Sequence, residues 1–415
     1  MRRAPLSGQA PPDACPGALQ VHTAADGPLA RIRVPGGALT PLQLRELAAC
    51  AGTLGTGVVE LTSRANVQVR GLRSPSEFAA RMADADLLPS ATHERVRNIA
   101  ASPLAGRGPS GLVDTDPLVA SLDRALCARA ALADLSGRFL FAVDDGTGDM
   151  TGLGADVTFV PARGAASGTV LLAGVDTGLA TAGPVPLMIA AAEGFLAERD
   201  AQDGSAWRVA DLDDGPARIA ARLAHPRPAV TPHPDVTPHE GAPRAGAGPL
   251  PQRDGRVALE VVVPLGRLTV PQAEALAAVP AAPDGPALRL TPWRTVVVLD
   301  LTAARADEVA RVLAGTGLVC DPASPWAGVS ACTGRPGCAK ALADVRHDVT
   351  RWVSGRTGPG GPPVHWSGCE RRCGLPRGPV LQYVATGTGY RVEEPAVTQD
   401  TGHRVEESVI QERQR

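Results

Sequence analysis

Lysine is nearly absent. Lys340 is the only one among 41 lysine-plus-arginine residues, so the chain's cationic chemistry falls to arginine, a planar fork that pairs with carboxylates two bonds at a time. Genome composition also drives such a bias, and position therefore weighs more than count. Net charge is missing too. Forty-one basic against 43 acidic residues leave -2 at neutral pH, so no overall field draws the chain to nucleic acid or to an anionic membrane, and any basic site is local. No apolar run follows the two arginines at the start, and none later approaches membrane-spanning length. The cytoplasm is the expected compartment. No flavin or nicotinamide fold is visible either. The glycine-rich D-D-G-T-G-D-M-T-G-L-G at 144–154 leads into another strand rather than opening a helix, and reads as a hairpin turn, not a phosphate loop. Finally, no two-histidine, one-carboxylate spacing marks a mononuclear iron site.

What is present begins with size. The 415 residues, 44% apolar, suffice for two or three domains with a substantial core. Eight cysteines in a reducing compartment argue for metal or catalysis rather than disulfides. Four of them cluster, as A-C-T-G-R-P-G-C-A-K (Cys332, Cys338) and W-S-G-C-E-R-R-C-G (Cys369, Cys373). Four thiolates at such spacings hold a tetrahedral zinc or an iron–sulfur cube. The separations, five residues in one pair and three in the other, favour the cube over zinc knuckles. Cys50 and Cys127 fall in apolar helical patterns and read as buried small hydrophobes. Cys15 and Cys320 carry no reading. His365, just before Cys369, is a lone histidine on a strand, a position more often structural than ligating.

Taken in order, residues 29–35 alternate as a strand, and Thr40 with Pro41 opens a helix. Residues 58–72 read as one long strand. Its period of two puts Glu60, Thr62, Arg64, Asn66, Gln68 and Arg70 on one face and an apolar row on the other. This stretch has a twin. V-P-G-G-A-L-T at 34–40 matches V-P-L-G-R-L-T at 263–269, and E-L-T-S-R at 60–64 matches R-L-T-P-W at 289–293, without a gap. Two half-domains about a pseudo-two-fold axis follow from that repeat. Cys338 is expected to open a helix with Leu342, Val345, Val349 and Trp352 along its apolar stripe. The expected divisions are a flexible leader at 1–25, a first half at 26–75, an α/β domain at 76–224, a proline-rich linker at 225–256, a second half at 257–315, the cysteine α/β domain at 316–391 and a disordered tail at 392–415.

The cysteine pattern, the T-S-R-A-N-V-Q stretch, the R-N-I-A-A-S-P-L segment and the duplicated halves together resemble the sulfite/nitrite reductase superfamily over nearly all of the chain outside leader, linker and tail. The resemblance implies an α+β fold: duplicated ferredoxin-like half-domains with two mixed α/β domains of the reductase type. Within the superfamily, A-C-T-G-R-P-G-C-A-K-A-L-A-D-V-R, L-T-P-W-R-T-V-V-V and S-P-L-A-G are most similar to its branch in aerobic cobalamin (vitamin B12) biosynthesis. That branch implies a monooxygenase-type oxidoreductase that hydroxylates the tetrapyrrole precorrin-3A at C20 with O2 and forms a lactone from a ring-A acetate. It implies a [4Fe-4S] cluster on Cys332, Cys338, Cys369 and Cys373, a mononuclear non-haem iron, and electrons from an external reductase.

Arg31, Arg33, Arg64, Asn66, Gln68, Arg70, Arg97, Asn98 and Arg138 are the expected cradle for the carboxylates of the substrate. The alternatives are a solvated strand face for that row, a sirohaem-dependent sulfite or nitrite reductase, or a zinc-stapled binding protein. The position matching Cys373 bridges cluster and sirohaem in reductases, and is retained. Against reduction stand Arg138, where reductases usually place lysine, and the absence of a later lysine pair. Glu370 also departs from the small or basic residue common after the third ligand.

Overall fold

Apolar side chains at Val59, Leu61, Val67 and Val69 bury one face of a hairpin in the first half. The computed structural model describes residues 13, 15–163, 167–223, 246–279, 288–359 and 361–395. Much of the expected leader, linker and tail, at 1–12, 14, 224–245 and 396–415, lies outside them. The single strand expected over 58–72 is instead two, Val58–Leu61 and Val67–Val69, antiparallel with Glu60 opposite Gln68. The cause is Thr62. Its hydroxyl accepts from the N–H groups of Arg64 (3.3 Å) and Asn66 (3.1 Å), offering the backbone an alternative to the ladder, while Ala65 turns at φ 55°. The polar row therefore folds back on itself, with Arg64 at the tip.

The strand Gly27–Ile32 joins this hairpin, and the helix Pro41–Leu54 covers it with Leu44, Leu47, Ala48 and Ala51 turned inward. The repeat is visible in detail. Helix Val270–Ala277 is its counterpart; both helices start with a threonine–glutamine capping box, Thr40 with Gln43 and Thr269 with Gln272, and the two pack on each other. The halves also exchange strands. Ala38–Leu39 of the first pairs with Leu288–Leu290 of the second, and Arg267–Thr269 of the second pairs with Val58–Leu61 of the first. One hydrophobic core runs through both.

Gly37 lies where the chain crosses over. Its φ is +67°, and a Cβ there would sit 2.0 Å from the Leu290 carbonyl oxygen. Gly37→Ala combines a left-handed backbone with a backbone clash, so chemical denaturation should show a loss of more than about 3 kcal/mol. A loss below about 1 kcal/mol, the cost of the φ alone, would mean the crossing is loosely held.

Between the halves lies a five-stranded sheet. Ile99–Ala101, Phe141–Val143 and Val157–Pro161 run parallel, then Gly168–Leu172 and Val175–Thr181 continue antiparallel. Residues 144–156 thus form a crossover between parallel strands, which corrects the expected hairpin turn. The Asp144 carboxylate holds that loop by accepting from the N–H groups of Gly146, Gly148 and Met150 at 2.7, 2.9 and 2.9 Å. Helices Asp116–Cys127, Pro184–Gln202 and Gly215–Arg222 cover the sheet around Phe139, Phe141 and Phe195.

The second half's sheet starts inside the expected linker, at Gly248–Pro251. At the other end, the leader is packed from Cys15 onward: Glu94 accepts from the N–H groups of Leu19 (3.2 Å) and Gln20 (3.3 Å), and His22–Ala24 is a strand.

The cysteine module is a four-stranded sheet of Val329–Ala331, Val364–Ser367, Leu381–Ala385 and Tyr390–Glu393. Its helix is Val345–Ser354, capped by Asp344, so Cys338 does not open a helix and Leu342 is 47% exposed. The reason is local. The backbone from Gly334 to Gly368 crosses itself here, with Leu342 N–H donating to Gly368 O at 2.7 Å and Cys338 N–H to Gly334 O at 2.9 Å. Among the described residues no helix is long and apolar enough to cross a membrane.

Candidate active site

Strand alternation sends Arg31 and Arg33 to the same side as Gln68, and the turn at Thr62 brings Arg64 to them. Arg31 donates twice to the Gln68 side-chain oxygen, at 3.3 and 2.9 Å, and Gln68 donates to Glu60 at 2.7 Å. Asn66 donates to Asn98 at 3.0 Å, and Asn98 donates to Gly137 O at 2.9 Å, which also receives Arg64 at 3.2 Å. Arg33 is 2% exposed, yet only its Nε is bonded, to Arg95 O at 3.0 Å. Both Nη atoms lack a partner among the described residues. Burial, reinforced by the charge of Arg31, pushes its guanidinium down to about 9. Burial and the charge of Arg208 push Arg64 down to about 10. The N-terminal segment closes this pocket. Asp13 accepts from Gly137 N–H at 2.6 Å, and a Cβ on Gly137 would meet Cys15 Cβ at 2.7 Å and Arg33 Nη2 at 3.4 Å.

Three residues of the expected cradle sit elsewhere. Arg97 is held by Asp123 at 2.6 and 2.7 Å, Arg138 is exposed with its guanidinium 4.0 Å over the Trp207 ring, and Arg70 reaches toward the cysteine loop.

A cavity of about 650 Å³ opens beside Arg64, within the range of about 300–1,000 Å³ usual for cofactor and substrate sites. Every part of the molecule contributes to its wall: Arg64 from the first half, Leu140 and Arg208 from the central domain, Trp293 and Arg294 from the second half, Arg372 and Arg377 from the cysteine module. The last four arginines and Trp293 were not singled out from the sequence. Arg294 had a signal. It occupies the repeat position of Ala65, and both residues adopt positive φ, 62° and 55°, in matching turns. Burial pushes Arg294 down to about 10, and it donates to Gly374 O at 2.7 Å, next to Cys373. Arg208 is bound to Asp156 at 2.9 Å. No pattern in the sequence foretells that pairing.

Cys332, Cys338 and Cys369 are half-buried and Cys373 is exposed. Burial raises the Cys332 thiol, as does the nearness of Cys373 and Cys369, while Gly368 N–H donates to its sulfur at 3.1 Å. Among the described residues no three of these sulfurs lie within 4.8 Å of one another. A tetrahedral zinc, with Zn–S of about 2.3 Å, needs sulfurs about 3.8 Å apart. The donor set is all thiolate, a set that suits an iron–sulfur cube. His365 is fully buried between Ser330 Oγ, 2.8 Å from its Nδ1, and the Cys373 backbone; burial pushes it down to about 3, so it is neutral.

Asp144, Asp145 and Asp149 form the one close group of metal-type ligand atoms among the described residues. Their oxygens already accept from the loop: Asp144 from three N–H groups, Asp145 from Gly106 N–H at 2.9 Å and Thr147 Oγ1 at 2.7 Å, Asp149 from Ser102 Oγ at 2.6 Å. They scaffold the crossover.

The family of nitrite/sulfite reductase ferredoxin-like half domains matches residues 22–75 and 250–315, the two strand-exchanging halves. The two halves are thus similar to the ferredoxin-like half domains of nitrite and sulfite reductases, and the chain is an oxidoreductase enzyme. Among individual proteins it is similar to precorrin-3B synthase of Sinorhizobium sp., with 29% identity over 401 residues, covering 91% of this chain and 81% of the relative. It is also similar to ferredoxin–nitrite reductase of Synechococcus elongatus, with 25% identity over 382 residues, covering 84% of this chain and 74% of that one. The solved structure of Mycobacterium tuberculosis NirA protein superposes with a TM-score of 0.65 at 20% identity over 88% of this chain and 74% of that one, a likeness of fold.

Proposed function

We propose that the chain is a precorrin-3B synthase, hydroxylating precorrin-3A at C20 with O2 and closing a lactone from a ring-A acetate, in aerobic cobalamin biosynthesis. The observation that carries this reading is Arg64, a half-buried cation bonded to the Gly137 carbonyl rather than to a carboxylate, on the wall of a cavity of about 650 Å³ that Arg208, Arg294, Arg372 and Arg377 also line. Buried unpaired charge is costly, and a carboxylate accepting two charge-assisted bonds relieves it. A tetrapyrrole ringed with carboxylates supplies that partner.

Arg64 orients an acid group of the substrate, and Arg294, Arg208 and Arg377 line the opposite side. Trp293 and Leu140 give the ring an apolar bed and exclude water. Hydroxylation puts one oxygen atom of O2 into substrate and requires two electrons to take the other to water. Cys332, Cys338, Cys369 and Cys373 would hold a [4Fe-4S] cluster, which would pass these electrons singly from an external reductase. Arg294, bonded to Gly374 O, ties the cavity wall to the backbone beside Cys373. A mononuclear iron fits less well. The trio Asp144, Asp145 and Asp149 has no histidine and is engaged by its own loop, so no step runs through it.

The second reading, a sirohaem-dependent nitrite or sulfite reductase, draws on the likeness to the Synechococcus enzyme. Protein purified without oxygen separates them. A broad, bleachable absorption with no porphyrin-type band, together with label from 18O2 in the product of precorrin-3A, is expected. A sirohaem band with nitrite reduction would replace the proposal by the second reading, and a colourless zinc protein would remove both.

A further inference from the structure

Arg70 belongs to the polar row that the sequence places toward substrate, yet it does not line the cavity. Its Nε and Nη2 donate to the two Asp26 carboxylate oxygens at 2.7 and 2.9 Å, and Nη2 also donates to Gly337 O at 2.7 Å. Gly337 immediately precedes Cys338. The guanidinium side chain is 8% exposed, and a Cβ on Gly337 would lie 2.9 Å from Asp26 Oδ2 and 3.4 Å from Arg70 Nη2, so the loop is pressed against the ion pair. A second strut runs parallel to it: Arg346 of the module's helix donates to Glu60 at 2.6 Å, and Glu60 accepts from Gln68 in the row that holds Arg70.

We propose that Arg70 is a positioning residue of the cysteine loop. It fixes the 337 carbonyl and sets a cation beside Cys338, while Asp26 limits how much of that charge the loop feels. The inference rests on the cluster reading above. A cation near a cluster favours its more negative, reduced form, and a carboxylate opposes it. The two partners therefore act with opposite sign. Loss of Arg70 lowers the reduction potential, and loss of the Asp26 charge raises it. Mere packing has no such sign.

The test compares Arg70→Met, Arg70→Lys and Asp26→Asn in the full chain. Iron and sulfide content should stay near the parent's. The midpoint potential should fall in Arg70→Met, rise in Asp26→Asn, and change least in Arg70→Lys, which keeps the charge. Shifts of both Arg70→Met and Asp26→Asn in one direction would reduce the pair to packing. A raised KM for the tetrapyrrole with an unmoved potential would return Arg70 to the substrate. In metal-free protein, deuterium labelling of the backbone amides at 337–341 should be several-fold faster in Arg70→Met than in the parent, with the helix Asp116–Cys127 unchanged; an equal rate overturns the positioning role. Absence of a cluster from the parent itself would strike the cluster reading and leave this labelling result to decide Arg70.

Discussion

Cys338→Ser should purify with little or no iron and sulfide, lose the visible absorption, and have no measurable hydroxylase activity. Three thiolates and a hydroxyl do not replace four thiolates around a cube, because the alcohol stays protonated where the thiol ionises. The loss should be confined to the cofactor. The cores of the strand-exchanged halves and of the central domain contain no residue of the four-stranded cysteine sheet or its loops at 329–393, so the far-ultraviolet spectrum and the main unfolding transition are expected to persist. Iron and sulfide at parental levels in Cys338→Ser would show that the fourth ligand lies elsewhere.

The second large effect has two parts of opposite sign. Arg33→Met removes a buried cation whose Nη atoms find no acceptor. An unsatisfied buried polar group costs about 1–3 kcal/mol, more than the single bond from Nε to Arg95 O returns, so the melting temperature should rise. Arg64→Met, at the cavity wall, deletes two charge-assisted bonds to a substrate carboxylate. At about 1.5 kcal/mol each they amount to roughly 100-fold in affinity for a carboxylated tetrapyrrole, readable by fluorescence quenching without turnover. Loss of stability in Arg33→Met would make Arg33 a structural cation, and unchanged affinity in Arg64→Met would take Arg64 away from the substrate.

Much of the architecture was legible because repetition and cysteine spacing are long-range signals that local errors do not blur. The gapless match of 34–40 with 263–269 is reproduced by paired capping boxes, paired positive-φ turns and an exchanged pair of strands. Local boundaries were less legible. Thr62 carries no glycine or proline to announce a turn, and its period-2 context continues through it, so a hairpin read as one strand. Leu342 fits a helical stripe that begins too early, because the crossing of the 334 and 368 backbones takes the hydrogen bonds a helix would need. The glycines at 146 and 148 suggested a hairpin, but they serve a loop wrapped on the Asp144 carboxylate.

The site was divided along the same line. The Arg31, Arg33 and Arg64 group follows from strand alternation once the hairpin closes. Arg208 and Arg377 reach the cavity only through tertiary packing. Arg294 lay within reach, since a charged residue in αL at the repeat position of Ala65 is a strained choice.

The exchanged strands bear on how such a chain can change over time. Ala38–Leu39 completes the sheet of the second half and Arg267–Thr269 that of the first. Neither copy is therefore a removable module, and neither can be swapped for a relative's copy unless its partner edge comes too. Side chains in the two matching turns are free of that constraint. One copy can keep Arg64 while the other acquires Trp293 and Arg294, so a duplicated frame is inherited as a unit while the two faces of its cavity diverge residue by residue.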